Sequence, residues 1–305
     1  MLEPIIITGA AGLIGSALVQ KLRGKGIPFI ATDIIPEDKI SGFLYKQIDS
    51  RDYEGLTSLV KDGASGIIHC GGISGPMLCK DEPRTLIDIN VSGTANILEI
   101  TRVHKLRRLI YCSSTSAYGD TPLSHDMIKE DCALNAIDVY GASKAAGDVL
   151  TRAYASQHGI DAVALRFSWV YGPKRTTGCI LREMIRNAKI GKPSVFNFGK
   201  KFSRQYIHIN DVVNAVLSAW NINKIPSRAY NITGGEKLSF NEISNVVKTI
   251  VPNADITNLD TEYAGDLVHG KFDISAAKAE LKYKPTVDFH KGVKEYAHWL
   301  NEHEY

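Results

Sequence analysis

Short apolar runs alternate with longer segments of helical spacing over the first two-thirds of the chain. The runs have the composition of buried strands, and they lie at 5–8, 28–33, 44–48, 66–70, 108–112 and 162–167. Between most of them apolar side chains recur on one helical face, as at Ala17, Leu18 and Leu22. Alternation of strand and helix requires crossover connections, which build parallel sheets covered on both faces. The pattern therefore predicts an α/β fold with a doubly wound parallel sheet.

The pattern changes after about residue 172. Short β-type runs lie at 195–198, 205–209 and 229–232, and helical spacing covers 182–190, 211–220, 239–250 and 290–301. No low-complexity linker separates the two parts. We expect a first domain of residues 1–172 and a smaller mixed α/β lobe of residues 173–305, interleaved in one body with a cleft between them.

Composition and charge narrow the class of protein. The 305 residues are 44% hydrophobic and 23% charged, with a net charge of +3, which is typical of globular chains and unlike collagen or disordered segments. No basic stripe with interleaved aromatic residues indicates nucleic-acid binding, and no apolar run approaches the ~20 residues of a membrane span. Five cysteines without close-paired spacing predict buried thiols in a reducing compartment and no metal site. We expect a cytoplasmic location.

The first predicted strand runs directly into a glycine-rich loop, Thr-Gly-Ala-Ala-Gly-Leu-Ile-Gly, at residues 8–15. Gly9 permits a tight turn, Gly12 lets the backbone approach a pyrophosphate, and Gly15 allows close packing of helix on sheet. Leu13 and Ile14 open the following helix, whose N-terminus offers N–H groups to phosphates. The context of strand, loop and helix predicts dinucleotide binding at Gly9, Gly12, Leu13, Ile14 and Gly15.

The second predicted strand ends at Asp33, eighteen residues beyond Gly15. A carboxylate there can accept hydrogen bonds from both adenosine ribose hydroxyls and would repel a 2′-phosphate. The next basic residue is Lys39, so no cationic side chain directly follows Asp33 to bind that phosphate. The position favours NAD over NADP, although a strand-end turn would also suit an aspartate.

Tyr140 and Lys144 are four positions apart on a predicted helix and therefore project from one face. A phenol with a reference pKa of ~10 is a poor base near neutrality, but an adjacent cation stabilises its phenolate. Lys144 can also bind the nicotinamide ribose. A tyrosine and a lysine four positions apart are common on helices. The pair therefore indicates a catalytic site only in combination with the glycine loop.

Hydroxyl side chains follow the apolar run at 108–112, at the carboxyl edge where ligands bind in open α/β sheets. Ser114 can donate a hydrogen bond to a substrate hydroxyl that becomes a ketone. A serine-rich loop that satisfies its own backbone is the alternative interpretation.

Together these features resemble the extended short-chain dehydrogenase/reductase family, the NAD-dependent epimerase/dehydratase group, over nearly the whole chain. The resemblance continues through the segments 49–52, 69–72, 90–94, 166–173 and 204–212. Two departures stand out: Cys70-Gly71-Gly72 replaces a usual Ala-Ala, and Ser168-Trp169 stands where Asn is common.

The resemblance implies a Rossmann domain that binds NAD and a smaller substrate-binding lobe. Tyr140 is then the general base, Lys144 its electrostatic partner, and Ser114 orients the reacting hydroxyl, with Ser113 or Thr115 assisting. Further cofactor contacts are expected at Asp49, Ser50, Cys70, Gly71, Gly72, Asn90 and Phe167, and substrate contacts at Ser74, Thr115, Arg175 and Arg204. Many members pair through the helices that carry Tyr140 and Asn90, so a homodimer is expected.

The reaction is narrowed by what the chain lacks. The family's dehydratases carry an Asp–Glu pair where this chain has Thr115 and Ser116, so elimination of water is not expected. The 3,5-epimerising members need a further Cys and His, for which Cys132, Cys179 and His125 are the candidates.

Two main hypotheses about the reaction remain. A nucleotide-sugar 4-epimerase needs no further acid or base, and Arg204 resembles the family arginine that binds a nucleotide diphosphate. A dehydrogenase of a smaller sugar, sugar acid or polyol is the alternative, because only 18 residues separate Pro173 from Lys192 and the glycine-rich segment 71–77 suits a compact substrate. A non-catalytic NAD sensor is a third hypothesis, although such proteins typically lose the Tyr or the Lys. We place the 4-epimerase first.

Overall fold

The computed structural model describes residues 3–40, 42–78, 80–121, 127–199, 202–259 and 267–303. The strands in these residues are β1 (Ile5–Thr8), β2 (Phe29–Asp33), β3 (Tyr45–Gln47), β4 (Gly66–His69), β5 (Arg108–Ser114), β6 (Ala162–Phe167), β7 (Trp169–Tyr171), β8 (Ser194–Phe196), β9 (Ser203–Arg204), β10 (Tyr206–His208), β11 (Ala229–Ile232), β12 (Leu238–Ser239) and β13 (Ile256–Asn258). The α-helices are α1 (Leu13–Gly24), α2 (Tyr53–Ser58), α3 (Pro83–Ile87), α4 (Gly93–Val103), α5 (Val139–His158), α6 (Ile180–Lys189), α7 (Ile209–Asn221), α8 (Phe240–Ile250), α9 (Ser275–Glu280) and α10 (Phe289–Glu302).

A seven-stranded parallel sheet forms the centre of the fold, in the order β11-β6-β5-β4-β1-β2-β3. The predicted doubly wound fold is confirmed. Strand β5 runs two residues further than predicted, because Ser113 and Ser114 continue the ladder opposite Arg166 and Phe167 of β6. The strand order reverses between β1 and β4, and ligands of such sheets bind outside the carboxyl ends of the strands at this point.

The later part of the chain returns to this sheet. Strand β11 pairs with β6, and helix α7 packs beside α1 on one face. The apolar side chains of these helices, such as Leu18 and Val216, join the sheet residues in one core. Elements from both sides of residue 172 therefore build the central layers.

A second core lies in the remainder of the C-terminal part. Helices α6, α8 and α10 pack together around Met184, Ile243 and Val293, next to the two-stranded ladders β7–β10, β8–β13 and β9–β12. The short ladders were only partly predicted, because strands of two or three residues leave little period-two signal.

The helical segment between β4 and β5 is interrupted. Between α3 and α4 the backbone makes a π-helical turn at Asp88–Ser92. This turn contains Asn90, a buried residue with 2% of its surface exposed. Such π-turns are frequent at functional sites.

Within the described ranges, no helix combines the length and the apolar character that crossing a membrane requires.

Candidate active site

The glycine loop is shaped by close backbone contacts. Gly9 has a φ of +65°, and a Cβ atom there would lie 2.6 Å from the backbone of Cys70. A Cβ atom on Gly15 would lie 2.1 Å from the carbonyl oxygen of Gly9. Helix α1 begins at Leu13 without a side-chain cap, so its first N–H groups are available to an anion.

Asp33 lies at the end of β2, beside this loop. Its carboxylate accepts hydrogen bonds from the Ala11 N–H at 2.9 Å and from the Ile34 N–H at 2.7 Å. It borders a cavity of about 320 Å³ whose apolar walls include Ile48 and Leu56. The same cavity is lined by the predicted cofactor residues Gly9, Gly12, Asp49, Ser50, Cys70, Gly71 and Gly72.

Asp49 and Ser50 lie on the turn before α2. The Arg51 guanidinium pairs with the Asp49 carboxylate at 2.6 Å and holds its pKa below the ordinary value through that hydrogen bond. The carbonyl oxygen of Ser50 accepts a hydrogen bond from the Asn96 amide at 3.1 Å. The turn is thereby fixed against α4.

The segment after β4 passes close to Asn90. Gly72 has a φ of +140°, and a Cβ atom there would lie 2.7 Å from Asn90 Oδ1. The Asn90 side chain accepts a hydrogen bond from the Ile73 N–H at 2.8 Å and donates one to the Ile73 carbonyl at 3.0 Å. The departure from the usual Ala-Ala thus lets the loop approach the π-helical turn. Cys70 Sγ lies 3.4 Å from Cys112 Sγ.

A cleft of about 890 Å³ continues from the glycine loop toward the second core. It brings together most of the remaining predicted residues, which are Ser74, Ser113, Ser114, Thr115, Tyr140, Lys144, Phe167 and Arg175. The cleft and the smaller cavity share Gly9, Gly12, Cys70, Gly72 and Ile73. One elongated ligand can therefore extend from Asp33 to Tyr140.

Helix α5 presents Tyr140 and Lys144 to the cleft. The helix begins after Asp138, whose carboxylate caps it by accepting a hydrogen bond from the Gly141 N–H at 2.7 Å. Lys144 Nζ donates to the Cys112 carbonyl at 2.9 Å. Burial alone would lower the pKa of the Lys144 ammonium, but electrostatic interactions with Tyr111, Tyr140, Cys112 and Cys70 together raise the pKa above its ordinary value. The lysine is therefore a fixed cation near Tyr140.

Ser114 ends β5 and caps the short 3₁₀ turn that follows. Its Oγ accepts a hydrogen bond from the Ser116 N–H at 3.1 Å and lies 3.1 Å from Ser116 Oγ, to which it donates. Ser114 thus forms hydrogen bonds within its own loop, as the alternative interpretation predicted. Its side chain also lines the cleft. Ser113 Oγ is buried and has no hydrogen-bond partner among the described residues.

His69 supports the floor of the site. Its Nδ1 lies 2.7 Å from Thr8 Oγ1 and its Nε2 lies 3.2 Å from Thr94 Oγ1. Burial, assisted by the positive charge of Lys144, lowers the pKa of His69 to about 3. The imidazole is thus neutral at physiological pH and links β1 to α4.

The two predicted substrate arginines occupy different places. Arg175 lines the cleft and donates to the carbonyl oxygens of Val170 and Gly178. Arg204 is 4% exposed, and its guanidinium lies between the rings of Trp169 and Phe202, at 4.3 and 4.5 Å from their centroids. It lines a side cavity of about 10 Å³, not the cleft itself.

The two cysteine candidates for 3,5-epimerisation lie away from the cleft. Cys132 packs with Tyr118, Ile128 and Phe272, and Cys179 precedes α6. Neither lines the cleft, and His125 lies outside the described residues.

Several residues at the site were missed by the sequence analysis. Trp299 and His303 stack at 4.5 Å between ring centroids and line the far edge of the cleft. Lys237 and His269 line the side cavity with Arg204. No local motif marks these four positions, since each reaches the site from a distant element.

The residues present fit an adenine dinucleotide. A glycine cradle that side chains would fill, an uncapped helix N-terminus and a strand-end carboxylate form one end, and Tyr140 with Lys144 forms the other. This fold and site define a dinucleotide-dependent enzyme of the short-chain dehydrogenase/reductase class.

The NAD dependent epimerase/dehydratase family model matches residues 5–233, and the chain belongs to that family. NAD is accordingly its cofactor. The expected family resemblance and cofactor are confirmed.

Individual named proteins are similar to this chain over nearly their full length. A putative UDP-glucose 4-epimerase of Methanocaldococcus jannaschii is 28% identical in an alignment of 304 residues that covers 97% of this chain and 98% of that protein. A UDP-glucuronate 4-epimerase of Thermodesulfobacterium geofontis is 24% identical over 315 residues, covering 97% and 96% of the two chains. The solved UDP-glucose 4-epimerase of Thermotoga maritima with UDP-glucose matches with a TM-score of 0.87 at 22% identity, over 98% and 99% of the chains. At 22% identity this structural match supports the fold alone.

Proposed function

We propose that this chain is a nucleotide-sugar 4-epimerase that acts through a transient keto intermediate. The observation that carries the proposal is the meeting of Ser114, Tyr140 and Lys144 in a cleft that continues into the glycine-loop cavity. Two full-length relatives named as 4-epimerases of UDP-glucose and UDP-glucuronate support the reaction and the substrate class.

The chain's own residues perform the proton chemistry. Ser114 donates a hydrogen bond to the reacting sugar hydroxyl, and Tyr140 takes the proton as that hydroxyl becomes a ketone. Lys144, cationic and fixed by the Cys112 carbonyl, stabilises the phenolate form of Tyr140. NAD, when bound, supplies reversible two-electron oxidation of the carbinol carbon. Tyr140 returns the proton after the ketone has presented its other face.

Dehydration is disfavoured by the residues beside Ser114. Thr115 and Ser116 occupy the places where an acid and a base would be required, and the aliphatic hydroxyls of threonine and serine are too weak as acids and bases to act in this way near neutral pH. No aspartate or glutamate lines the cleft in the described part of the chain. A 4-epimerase needs only Tyr140 as its acid–base group.

The experiment is a coupled assay on the purified holoenzyme. UDP-glucose and UDP-glucuronate are incubated separately, and the 4-epimers are measured by chromatography while NADH absorbance is followed. Formation of the epimer without net NADH supports the proposal. Binding of NAD with no turnover of any sugar would contradict it and favour a sensor.

A dehydrogenase of a smaller sugar, sugar acid or polyol is the second candidate. The observation that favours it is the short connection between β7 and β8, which holds only α6 and leaves few residues to enclose a nucleotide. Net NADH accumulation with a free sugar or sugar acid, and none with UDP-sugars, would establish this activity.

We further infer a cytoplasmic homodimer with neither a nucleic-acid nor a membrane partner. Free thiols at Cys70, Cys112, Cys132 and Cys179 support a reducing compartment. Exposed apolar side chains on α4 and α5, Val103 at 47% and Val149 at 48%, support pairing through these helices. Light scattering after size exclusion tests the pairing, and Val149→Glu should yield monomers.

A further inference from the structure

We propose that Cys70 and Cys112 form a site of reversible oxidation in the wall of the cofactor site. A hydroperoxide converts the two thiols into a disulfide, and the disulfide lowers the affinity for NAD. The proposal goes beyond the proposed function and rests on its cofactor site alone, because the oxidation is the same whichever sugar is turned over. The two sulfur atoms lie 3.4 Å apart.

Neighbouring parallel strands bring the two cysteines together. Cys112 lies in β5, and Cys70 directly follows β4. The register pairs His69 with Tyr111, so Cys70 and Cys112 stand opposite each other at the next position. Neighbouring strands are about 4.8 Å apart, which is within the Cα separation of about 4.4–6.8 Å that disulfides span. The sulfur atoms therefore need to move only from 3.4 Å to the bond length of about 2.05 Å, a difference of about 1.4 Å.

The cleft gives a small oxidant access to both thiols. Cys70 is half-buried and Cys112 is 5% exposed, and both line the cleft of about 890 Å³. Cys70 also lines the smaller cavity of about 320 Å³. By contrast, Cys132 and Cys179 line neither of these volumes. Among the cysteines that the structure describes, this pair alone therefore combines close approach with access from the cleft.

The oxidation proceeds in two balanced steps. One cysteine attacks the hydroperoxide as its thiolate, the O–O bond breaks, and a sulfenic acid forms together with an alcohol, or with water when the oxidant is hydrogen peroxide. The second thiol attacks the sulfenic sulfur, so that the S–S bond forms and water leaves. In sum, the two thiols give up two electrons and two protons, and the hydroperoxide takes them up.

Without an oxidant the pair stays reduced. The hydrogen bond with Cys112 and burial raise the pKa of the Cys70 thiol, and the positive charge of Lys144 opposes them. Because little thiolate exists near neutral pH, the first step is slow unless the hydroperoxide accumulates. A dithiol returns the disulfide to two thiols by exchange. The pair thus responds to an oxidant and recovers in a reducing compartment.

The disulfide disturbs the cofactor site through the backbone on both sides. A Cβ atom on Gly9 would lie 2.6 Å from the Cys70 backbone, so the glycine loop lies directly against Cys70. The Cys112 carbonyl accepts the hydrogen bond from Lys144 Nζ at 2.9 Å. Drawing the sulfur atoms together therefore displaces residues that hold the glycine loop and Lys144. By linkage, bound NAD disfavours the disulfide to the same degree.

The test treats the purified holoenzyme with hydrogen peroxide at increasing concentrations of free NAD. Peptide mapping after alkylation measures the disulfide between Cys70 and Cys112. Fluorescence titration measures the dissociation constant for NAD before oxidation, after it, and after reduction with dithiothreitol. The disulfide should form at low NAD, and its yield should fall as NAD rises. Its formation should raise the dissociation constant about 5–150-fold, the usual range of coupling between two sites, and dithiothreitol should restore the affinity.

Two variants separate this pair from the other thiols, and each is compared with itself before and after peroxide. The double variant Cys70→Ala with Cys112→Ala should keep its own NAD affinity after treatment. Cys132→Ala, a control away from the cleft, should lose affinity as the wild type does.

The proposal is wrong if peptide mapping finds no disulfide between Cys70 and Cys112 at the lowest NAD concentration, or finds only sulfenic or sulfinic acids there. A disulfide that leaves the dissociation constant unchanged would also overturn it, as would a double variant that loses NAD affinity as the wild type does. Because sugar turnover is not measured, failure of epimerisation would count against the proposed function and not against this site.

Discussion

The side-chain amide of Asn90 donates a hydrogen bond of 2.9 Å to Ser143 Oγ. Ser143 lies on α5 immediately before Lys144, and its hydroxyl donates in turn to the Tyr140 carbonyl at 2.7 Å. The same amide holds both polar groups of the Ile73 backbone. Asn90 thus joins the glycine-rich loop after β4 to the helix that carries the proposed base.

Asn90→Ala removes this junction. We expect the dissociation constant for NAD to rise about 5–30-fold, because one or two buried hydrogen bonds of ~1 kcal/mol each are lost. Titration of the protein with NAD, followed by fluorescence, measures the change. Equal affinities in the wild type and Asn90→Ala would contradict the role of Asn90 as a positioning residue.

Tyr140→Phe removes the proposed proton acceptor and leaves the aromatic ring in place. Turnover should fall by about 10²–10⁴, the usual contribution of a positioned acid–base group, with NAD affinity nearly unchanged. Steady-state rates and NAD titration measure the two effects. Tyr154→Phe on the same helix is the matched control and should keep full activity. A near-normal rate for Tyr140→Phe would remove Tyr140 from the mechanism.

Asp33→Asn removes the negative charge at the end of β2. The preference for NAD over NADP should decrease, because the carboxylate no longer repels a 2′-phosphate, and the amide can still face the Ala11 N–H with its oxygen. The ratio of dissociation constants for the two cofactors is the measurement. Asp38→Asn, on an exposed turn nearby, should leave the ratio unchanged. If Asp33→Asn behaves like this control, another group discriminates between the cofactors.

Gly15→Ala and Gly24→Ala form a matched pair at the two ends of α1. A Cβ atom on Gly15 meets the Gly9 carbonyl at 2.1 Å, whereas one on Gly24 meets nothing within 4 Å. Gly15→Ala should reduce the free energy of unfolding by about 1–3 kcal/mol and impair NAD binding. Gly24→Ala should be neutral or stabilise by up to about 1 kcal/mol. Denaturant unfolding distinguishes them, and equal stabilities would contradict the packing argument.

His69 makes stability depend on pH. Its pKa is about 3 in the folded protein and 6.5 as an ordinary imidazole, so the unfolded chain binds this proton first. Stability is therefore lost as the pH falls below about 6.5, by roughly 1.4 kcal/mol per pH unit for this proton. Unfolding at pH 7 and pH 5 should show a smaller loss for His69→Gln than for the wild type. His104→Gln, near the end of α4, should match the wild type, and an unchanged slope in His69→Gln would exclude His69 as the cause.

Much of the nucleotide end was predictable because its signals are local. The strands β1, β2, β4 and β6 follow from apolar runs, and the turn at Gly9 from the spacing of glycines. The shared face of Tyr140 and Lys144 follows from helical periodicity alone. The predictions that Arg175 and Arg204 contact substrate remain untested, and only Arg175 lines the main cleft.

The sequence by itself determined the kind of sheet, the glycine cradle and the pairing of Tyr140 with Lys144, because each depends on residues that are neighbours along one element. Only the tertiary structure decided that β11 forms the edge of the sheet beside β6 and that Asn90 contacts Ser143. It also decided that Lys237 and His269 line one cavity with Arg204 and Thr115. These contacts join loops and short strands that are far apart in the chain. Their positions follow from how the helices pack on the sheet, and no local period records that packing.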